Sequence, residues 1–244
     1  MYEPLMDKTS LKKLIDDDQL NTKNTIPPYL EETYWWAYLH PRGIHIFERQ
    51  WLVNFILWGN YRRLREEALS EINNHFQGNM LQLACVYGDL TEKLASRLSI
   101  KGRLDLVDIS QAQLDNALAK LGQRQNINLI LQDTSALNLP DNAYDVTLLF
   151  FLLHEQPESV RLSTLAEAVR LTRKGGKIII VDYHRAAGWN PLRYIMKGVF
   201  RWLEPFAEGF VSSEVSETLP TEKITGIKKQ VYFGGLYQKV IVTC

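Results

Sequence analysis

The chain has 244 residues, enough for one sizeable α/β domain with a buried core and extra caps. Lys plus Arg number 28 and Asp plus Glu number 28, so no net field gathers a polyanion, and nucleic acid is set aside as a partner. Two distant cysteines, Cys85 and Cys244, speak against a disulfide framework and for a reducing compartment.

Residues 1–28 mix acidic and basic groups, lack the apolar stretch of a signal peptide and end at Pro27-Pro28; they read as a flexible arm. The longest apolar runs, 51–58 and 146–153, are too short to span a bilayer, so a soluble or surface-attached protein is expected. Residues 29–77 form a helical, aromatic-rich extension. Within it Ile44, Phe47, Trp51, Phe55 and Trp58 recur at three- and four-residue steps, which predicts one apolar helix face running on through Leu64 and Leu69 to Gly78. From 78 to 244 the rhythm changes. Strands are expected at 80–86, 103–109, 128–132, 144–151 and 177–181, with helices at 90–98, 111–121 and 157–171 between them. The 144–151 strand reads with no polar face, as a central parallel strand should. Residues 188–220 form a cap insertion. Residues 228–233, Gly234-Gly235 and 237–243 predict an antiparallel hairpin. Five parallel strands followed by a hairpin suit a Rossmann-like class I S-adenosylmethionine (SAM)-dependent methyltransferase fold better than a dinucleotide dehydrogenase.

In such sheets the ligand sits beyond the carboxyl ends of the strands. The loop after the first strand reads Gln82-Leu83-Ala84-Cys85-Val86-Tyr87-Gly88-Asp89. An ordinary methyltransferase loop has an acid at the place of Gln82 and glycines at those of Ala84, Val86 and Gly88; only Gly88 is kept. A G-x-G-x-x-G run is absent, against a nicotinamide cofactor. Asp108, followed by Ile109, ends the second strand twenty residues after Gly88 and suits the ribose hydroxyls. Its alternative role is to cap the next helix. Asp133, followed by Thr134, ends the third strand and suits the adenine amino group; its alternative role is to cap a loop. The expected SAM contacts are therefore Val86, Gly88, Asp108, Ile109, Asp133 and Thr134.

The blocks Tyr34-Trp35-Trp36-Ala37-Tyr38-Leu39-His40-Pro41, Phe47-Glu48-Arg49-Gln50-Trp51-Leu52-Val53-Asn54 and Ile56-Leu57-Trp58-Gly59-Asn60, with the degenerate loop Cys85-Val86-Tyr87-Gly88-Asp89, resemble the rhodoquinone biosynthesis family. That family is a divergent branch of the class I SAM-dependent methyltransferases. The resemblance implies conversion of ubiquinone to rhodoquinone for anaerobic respiration, with a ring methoxy group replaced by an amino group. SAM would be the amino donor and a divalent metal such as manganese would assist. It also implies a bacterial protein in the cytoplasm or peripherally on the cytoplasmic side of the inner membrane.

Three residues are expected to carry the chemistry. His154, after the fourth strand beside Glu155, titrates near neutrality and can move a proton; its alternative is a buried structural histidine. Asp182, after the fifth strand, pairs with His184 as a candidate metal-ligand set. Tyr87 and Val86 add bulk where the methionine part of SAM normally lies, which would re-aim its amino group toward the quinone. Loop drift is the alternative. His40 and His45 read as helix-surface histidines or quinone contacts. In the cap, Arg193, Lys197 and Arg201 share one helix face and Leu192, Ile195, Met196, Val199 and Leu203 another, a pattern for an interfacial helix or a lid over the site. Two other functions stay open on these residues: a conventional methyltransferase acting on a quinone or small aromatic, and a non-catalytic SAM-fold scaffold at a membrane.

Overall fold

A computed structural model describes residues 26–244, so the expected arm lies, apart from its last three residues, outside the described residues. Among the described residues seven strands form one sheet in the order β3-β2-β1-β4-β5-β7-β6. The strands are β1 (Asn79–Leu83), β2 (Arg103–Asp108), β3 (Ile127–Leu131), β4 (Tyr144–Phe150), β5 (Thr172–Tyr183), β6 (Gly226–Tyr232) and β7 (Tyr237–Thr243). β1 to β5 run parallel, and β7 lies antiparallel to both β5 and β6. This is the parallel sheet with a terminal hairpin that the sequence predicts. Its centre is the most apolar part: Leu148, Ile178, Ile179, Ile180 and Val181 are buried on β4 and β5. Each such side chain contributes roughly 1.5–3 kcal/mol by leaving water.

Helices α5 (Leu90–Ser96), α6 (Gln111–Leu121) and α7 (Glu158–Leu171) connect the parallel strands. Ser110 starts α6, its hydroxyl accepting the Gln113 N–H at 3.4 Å. β5 is longer than expected and runs through Gly175-Gly176, with a register shift between Tyr144 and Val146 on β4 where the two glycines fall. The hairpin connection spans Phe233 to Leu236, three of whose residues have positive φ: Phe233, Gly234 and Gly235.

The amino-terminal extension departs from the single helix that its periodicity predicts. It is four short helices: α1 (Leu30–Leu39), α2 (Pro41–Phe47), α3 (Gln50–Ile56) and α4 (Tyr61–Leu69). Extended backbone at Arg49, and left-handed backbone at Trp58 (φ 53°) and Gly59 (φ 78°), break the run. The apolar stripe is also not a core stripe: Trp51 and Phe55 are 64% and 75% exposed, while Ile44 and Leu64 are buried. α1 is wound as a π-helix, in which the His40 N–H reaches back five residues to the Trp35 carbonyl at 3.0 Å. The cap carries α8 (Leu192–Trp202), α9 (Ala207–Ser212) and α10 (Val215–Thr218).

Candidate functional site

The carboxyl ends of β1, β2 and β4 meet α1 over two adjoining cavities. The smaller, about 50 Å³, is lined by Asp108, Ile109, Asp133 and Thr134 and roofed by Tyr29 and Leu30. The larger, about 140 Å³, has Val86 and Tyr87 on one wall and Phe150, Phe151 and His154 on another. Tyr38, Ala84, Cys85 and Glu155 line both and form the partition. A ligand with a nucleoside end and a second, reacting end matches this pair of spaces.

β1 stops at Leu83, and Ala84 turns with φ 68°, the left-handed conformation usually given to glycine. So the loop keeps the backbone path of a glycine-rich turn without the glycine. Gln82 is buried; its Nε2 donates to the Ala84 carbonyl and to Thr91 Oγ1, both at 3.0 Å, while its Oε1 has no hydrogen-bond partner. Asp108 is buried and binds the loop to the next element: one oxygen accepts the Cys85 N–H at 2.7 Å, the other the Ser110 N–H at 2.8 Å. Burial raises its pKa, and those backbone donors pull the other way. It therefore tethers two loops rather than capping α6. Asp133 does what its alternative role describes: Oδ1 accepts the Ser135 N–H and hydroxyl, both at 2.8 Å. It does so while lining the smaller cavity. Thr134 shares its hydroxyl with Gln156 at 3.2 Å.

Two expected residues are placed differently. Gly88 lines neither cavity. Its φ is 82°, a conformation side chains rarely adopt, and a Cβ there would stand 2.5 Å from the Tyr61 hydroxyl, so the backbone and Tyr61 together call for glycine. Tyr87 is held as a wall: it donates to the Ala37 carbonyl, accepts from Gln113 Nε2 at 2.7 Å, and stacks on Tyr38 at 5.7 Å and Phe47 at 5.9 Å. Burial pushes its phenol up, and Ala37 and Gln113 take both hydrogen-bonding roles of its hydroxyl, so the geometry presents Tyr87 as a wall of the cavity.

The charged end of the larger cavity is built from four parts of the chain. The short turn Leu153–Glu155 after β4 supplies His154 and Glu155, β5 supplies Asp182, the α8–α9 link supplies Glu204, and α1 supplies Tyr34 and Tyr38. Asp182 is fully buried and accepts N–H groups from Leu153 at 2.9 Å and Tyr183 at 2.7 Å. Its Oδ1 also stands 2.7 Å from His154 Nδ1. The His154 Nε2 is thereby aimed at Glu155 Oε1 (3.8 Å) and Glu204 Oε2 (3.9 Å). Burial opposes a charge on His154, but Asp182 beside it, with Glu204 and Glu155, raises its pKa to about 9. Burial raises both glutamates as well, against the pull of His154. Tyr38 donates to Glu155, and Tyr34 donates to Glu204 at 2.8 Å.

Donor atoms of His154, Glu155 and Glu204 lie within 4.8 Å of one another. This nitrogen-and-oxygen set suits a divalent ion of the manganese type, and an imidazole held by a buried carboxylate is the usual outer support of a metal-bound histidine. The expected pairing of Asp182 with His184 does not form. Asp182 is bonded to the Leu153 and Tyr183 N–H groups and to His154, whereas His184 Nδ1 donates to the Gly235 carbonyl at 2.8 Å and Nε2 faces Lys229 Nζ at 2.9 Å. His40 accepts the Arg42 N–H at the start of α2, and neither it nor His45 lines these cavities. The sequence reading missed Glu204, Tyr34 and Tyr38 as polar partners. One signal was available: Glu204 is the sole acid in 189–206, a segment otherwise basic and apolar.

Residues 80–176 match the methyltransferase domain family. The demethylmenaquinone methyltransferase of Lactiplantibacillus plantarum is 27% identical over 152 residues, 61% of each chain. The ubiquinone/menaquinone biosynthesis C-methyltransferase UbiE of Ectopseudomonas mendocina is 30% identical over 146 residues, covering 58% of this chain and 55% of the relative. The chain thus spans under two thirds of these relatives' length. A SAM-dependent methyltransferase structure from Aquifex aeolicus superposes with a TM-score of 0.54 at 17% identity, over 84% of this chain and 98% of the other.

Proposed function

We propose, from the premise that this chain has the Rossmann-like class I SAM-dependent methyltransferase fold, that it is a SAM-dependent enzyme of quinone metabolism. The observation that carries this reading is the pair of adjoining cavities. One offers Asp108, Asp133 and Thr134 to an adenosine; the other offers a flat aromatic slot ending in His154, Glu155 and Glu204. The quinone biosynthesis enzymes among the relatives support the substrate class.

The finer reading is the one the family resemblance implies: ubiquinone becomes rhodoquinone, with an amino group from SAM in place of a ring methoxy. The walled position of Val86 and Tyr87 supports it. Side chains fill the region where glycines would let the methionine end lie along the backbone. Nitrogen addition at the methoxy-bearing carbon with loss of methanol leaves a secondary amine still bonded to the SAM α-carbon. Elimination then breaks that N–C bond, the pair going to nitrogen with a proton while loss of a β-proton forms a double bond in the released SAM skeleton. The addition step needs an acceptor for the amine proton and a donor for the leaving oxygen. His154, whose raised pKa keeps the ring protonated and whose Nδ1 is held by Asp182, can supply the second proton from Nε2 to the leaving oxygen. The ionised form of Glu155 or Glu204, made a stronger base by burial, can take the first. Phe150, Phe151 and Tyr183 exclude water around the ring. Where a divalent cation is held instead by His154 Nε2, Glu155 and Glu204, those atoms would be its ligands rather than proton carriers, and it would polarise the quinone oxygen.

The test is incubation with ubiquinone, manganese and SAM labelled with nitrogen-15 in the amino group and deuterium in the methyl group. Mass spectrometry should show loss of methoxy and gain of labelled nitrogen. Gain of a deuterated methyl group instead establishes the conventional quinone methyltransferase, which the similarity to C-methyltransferases favours. No product and no SAM-dependent thermal shift leaves only a scaffold. The double variant Val86→Gly, Tyr87→Thr should lose amino transfer; full amino transfer in it refutes the re-aiming of the donor.

A further inference from the structure

Helix α8 packs beside the site, through Phe200 on Tyr183, but carries more than a lid needs. At 3.6 residues per turn its side chains fall into three stripes. Leu192, Met196, Val199 and Phe200 turn inward; Met196 and Phe200 are buried, and the Phe200 ring sits 5.2 Å from Tyr183. Arg193, Lys197 and Arg201 form the second stripe. Tyr194, Ile195, Gly198 and Trp202 form the third, opposite the buried face. A packed lid would carry polar residues there, yet Trp202 is 82% exposed and Tyr194 65%, with Trp189 just ahead at 76%.

The basic stripe borders a cleft of about 640 Å³ between α8, α9 and the segment after β5. Arg185, Arg193 and Lys197 line it, with Met196, Phe200 and Leu236 also in its wall and one acid, Glu208, on α9. From 185 to 203 the chain has four cations and no acid. The Arg193 guanidinium is fixed over the Tyr194 ring at 4.5 Å, and its buried Nε has no hydrogen-bond partner. A basic cleft with an unspent donor, beside an outward aromatic stripe, is complementary to a phosphate group attached to an apolar tail. No described helix is long and apolar enough to cross a membrane.

We infer that α8 docks this protein on an anionic lipid bilayer. Trp189, Tyr194, Ile195 and Trp202 enter the boundary between headgroups and chains, and a lipid phosphate occupies the cleft at Arg185, Arg193 and Lys197. The surface stands without the reaction proposed above, which adds only the reason: a quinone is lipid-soluble. The same helix reaches the site, since Phe200 packs on Tyr183 and Glu204 follows its last turn.

The test is co-sedimentation of the full chain with vesicles of phosphatidylcholine, alone or mixed with phosphatidylglycerol. Binding should be strong only to the mixed vesicles and should weaken with salt. Arg193→Gln, Lys197→Gln and Arg201→Gln together should lower partitioning roughly a hundredfold, at about fivefold per basic residue. Trp202→Ala should weaken it further, while Ile100→Ser, at an exposed residue before β2, should leave it unchanged. Circular dichroism and melting temperature confirm that each variant is folded. The triple variant should keep wild-type turnover of a short-tailed, water-soluble quinone, so a chain inactive on any quinone can still pass the vesicle test. The inference is overturned if mixed vesicles bind no better than neutral ones, or if the triple variant binds like wild type. It is also overturned if inorganic phosphate raises the melting temperature without vesicle binding, or if the apolar stripe drives self-association instead.

Discussion

The two ends of the double cavity are made differently. The end proposed for the nucleotide is assembled at strand ends: Asp108 closes β2 and Asp133 follows β3, held by backbone N–H groups of Cys85 and Ser110 in the first case and of Ser135 in the second. The reacting end is assembled from parts far apart in the chain. Tyr34 meets Glu204 across 170 positions, and Tyr38 meets Glu155 across 117. Backbone bonds hold the Asp108 and Asp133 carboxylates still. The side-chain bonds at the other end hold groups whose proton affinities have been raised, as proton transfer requires. Binding and chemistry are thus separable by mutation.

The largest effect should come from His154→Asn, which leaves Asp182 a partner but removes the aimed Nε2. Turnover should fall roughly 10²- to 10⁴-fold, with SAM affinity by calorimetry unchanged. A comparable loss of SAM binding would break the division between the two ends. Next is Asp182→Asn. The histidine loses its orienting charge, so manganese affinity, read by electron paramagnetic resonance, should drop roughly 10- to 100-fold. His184→Gln should not alter it, which separates the cluster found here from the Asp182–His184 pair. Asp108→Ala tests the opposite end: it should weaken SAM binding by a similar factor, roughly 10- to 100-fold for a hydrogen bond to a charged group, and leave manganese affinity intact. The smallest effect belongs to Tyr34→Phe. Losing one hydrogen bond to Glu204 should lower turnover about fivefold, at ~1 kcal/mol, and change neither SAM binding nor the fold.

The same contrast explains what could be read from the sequence. The sheet was legible because each strand carries its own signal: β4 is apolar nearly throughout, and the glycines at 234 and 235 mark the hairpin. Asp108 and Asp133 were legible because strand ends place them. The amino-terminal helices misled because periodicity detects an apolar face without saying what covers it. Trp51 and Phe55 kept the helical step but point to solvent, and Trp58-Gly59 turns the chain where a longer helix was expected. Glu204, Tyr34 and Tyr38 were hidden for a different reason. Their roles exist only after tertiary folding brings α1 and the cap to the end of β4. Gly88 and Tyr87 were named from the loop pattern, yet their surroundings, Tyr61 for one and Tyr38 with Phe47 for the other, are supplied by the extension.

Helix α1 has a further consequence for the timing of catalysis. Its residues roof both cavities: Leu30 and Leu39 over one, Tyr34 and Trp36 over the other, and Tyr38 over both. Where a ligand leaves by displacing this helix, the same displacement opens the other cavity. Residence times of nucleoside and quinone should then lengthen together, each ligand slowing the other's escape through a helix that must lift as a whole.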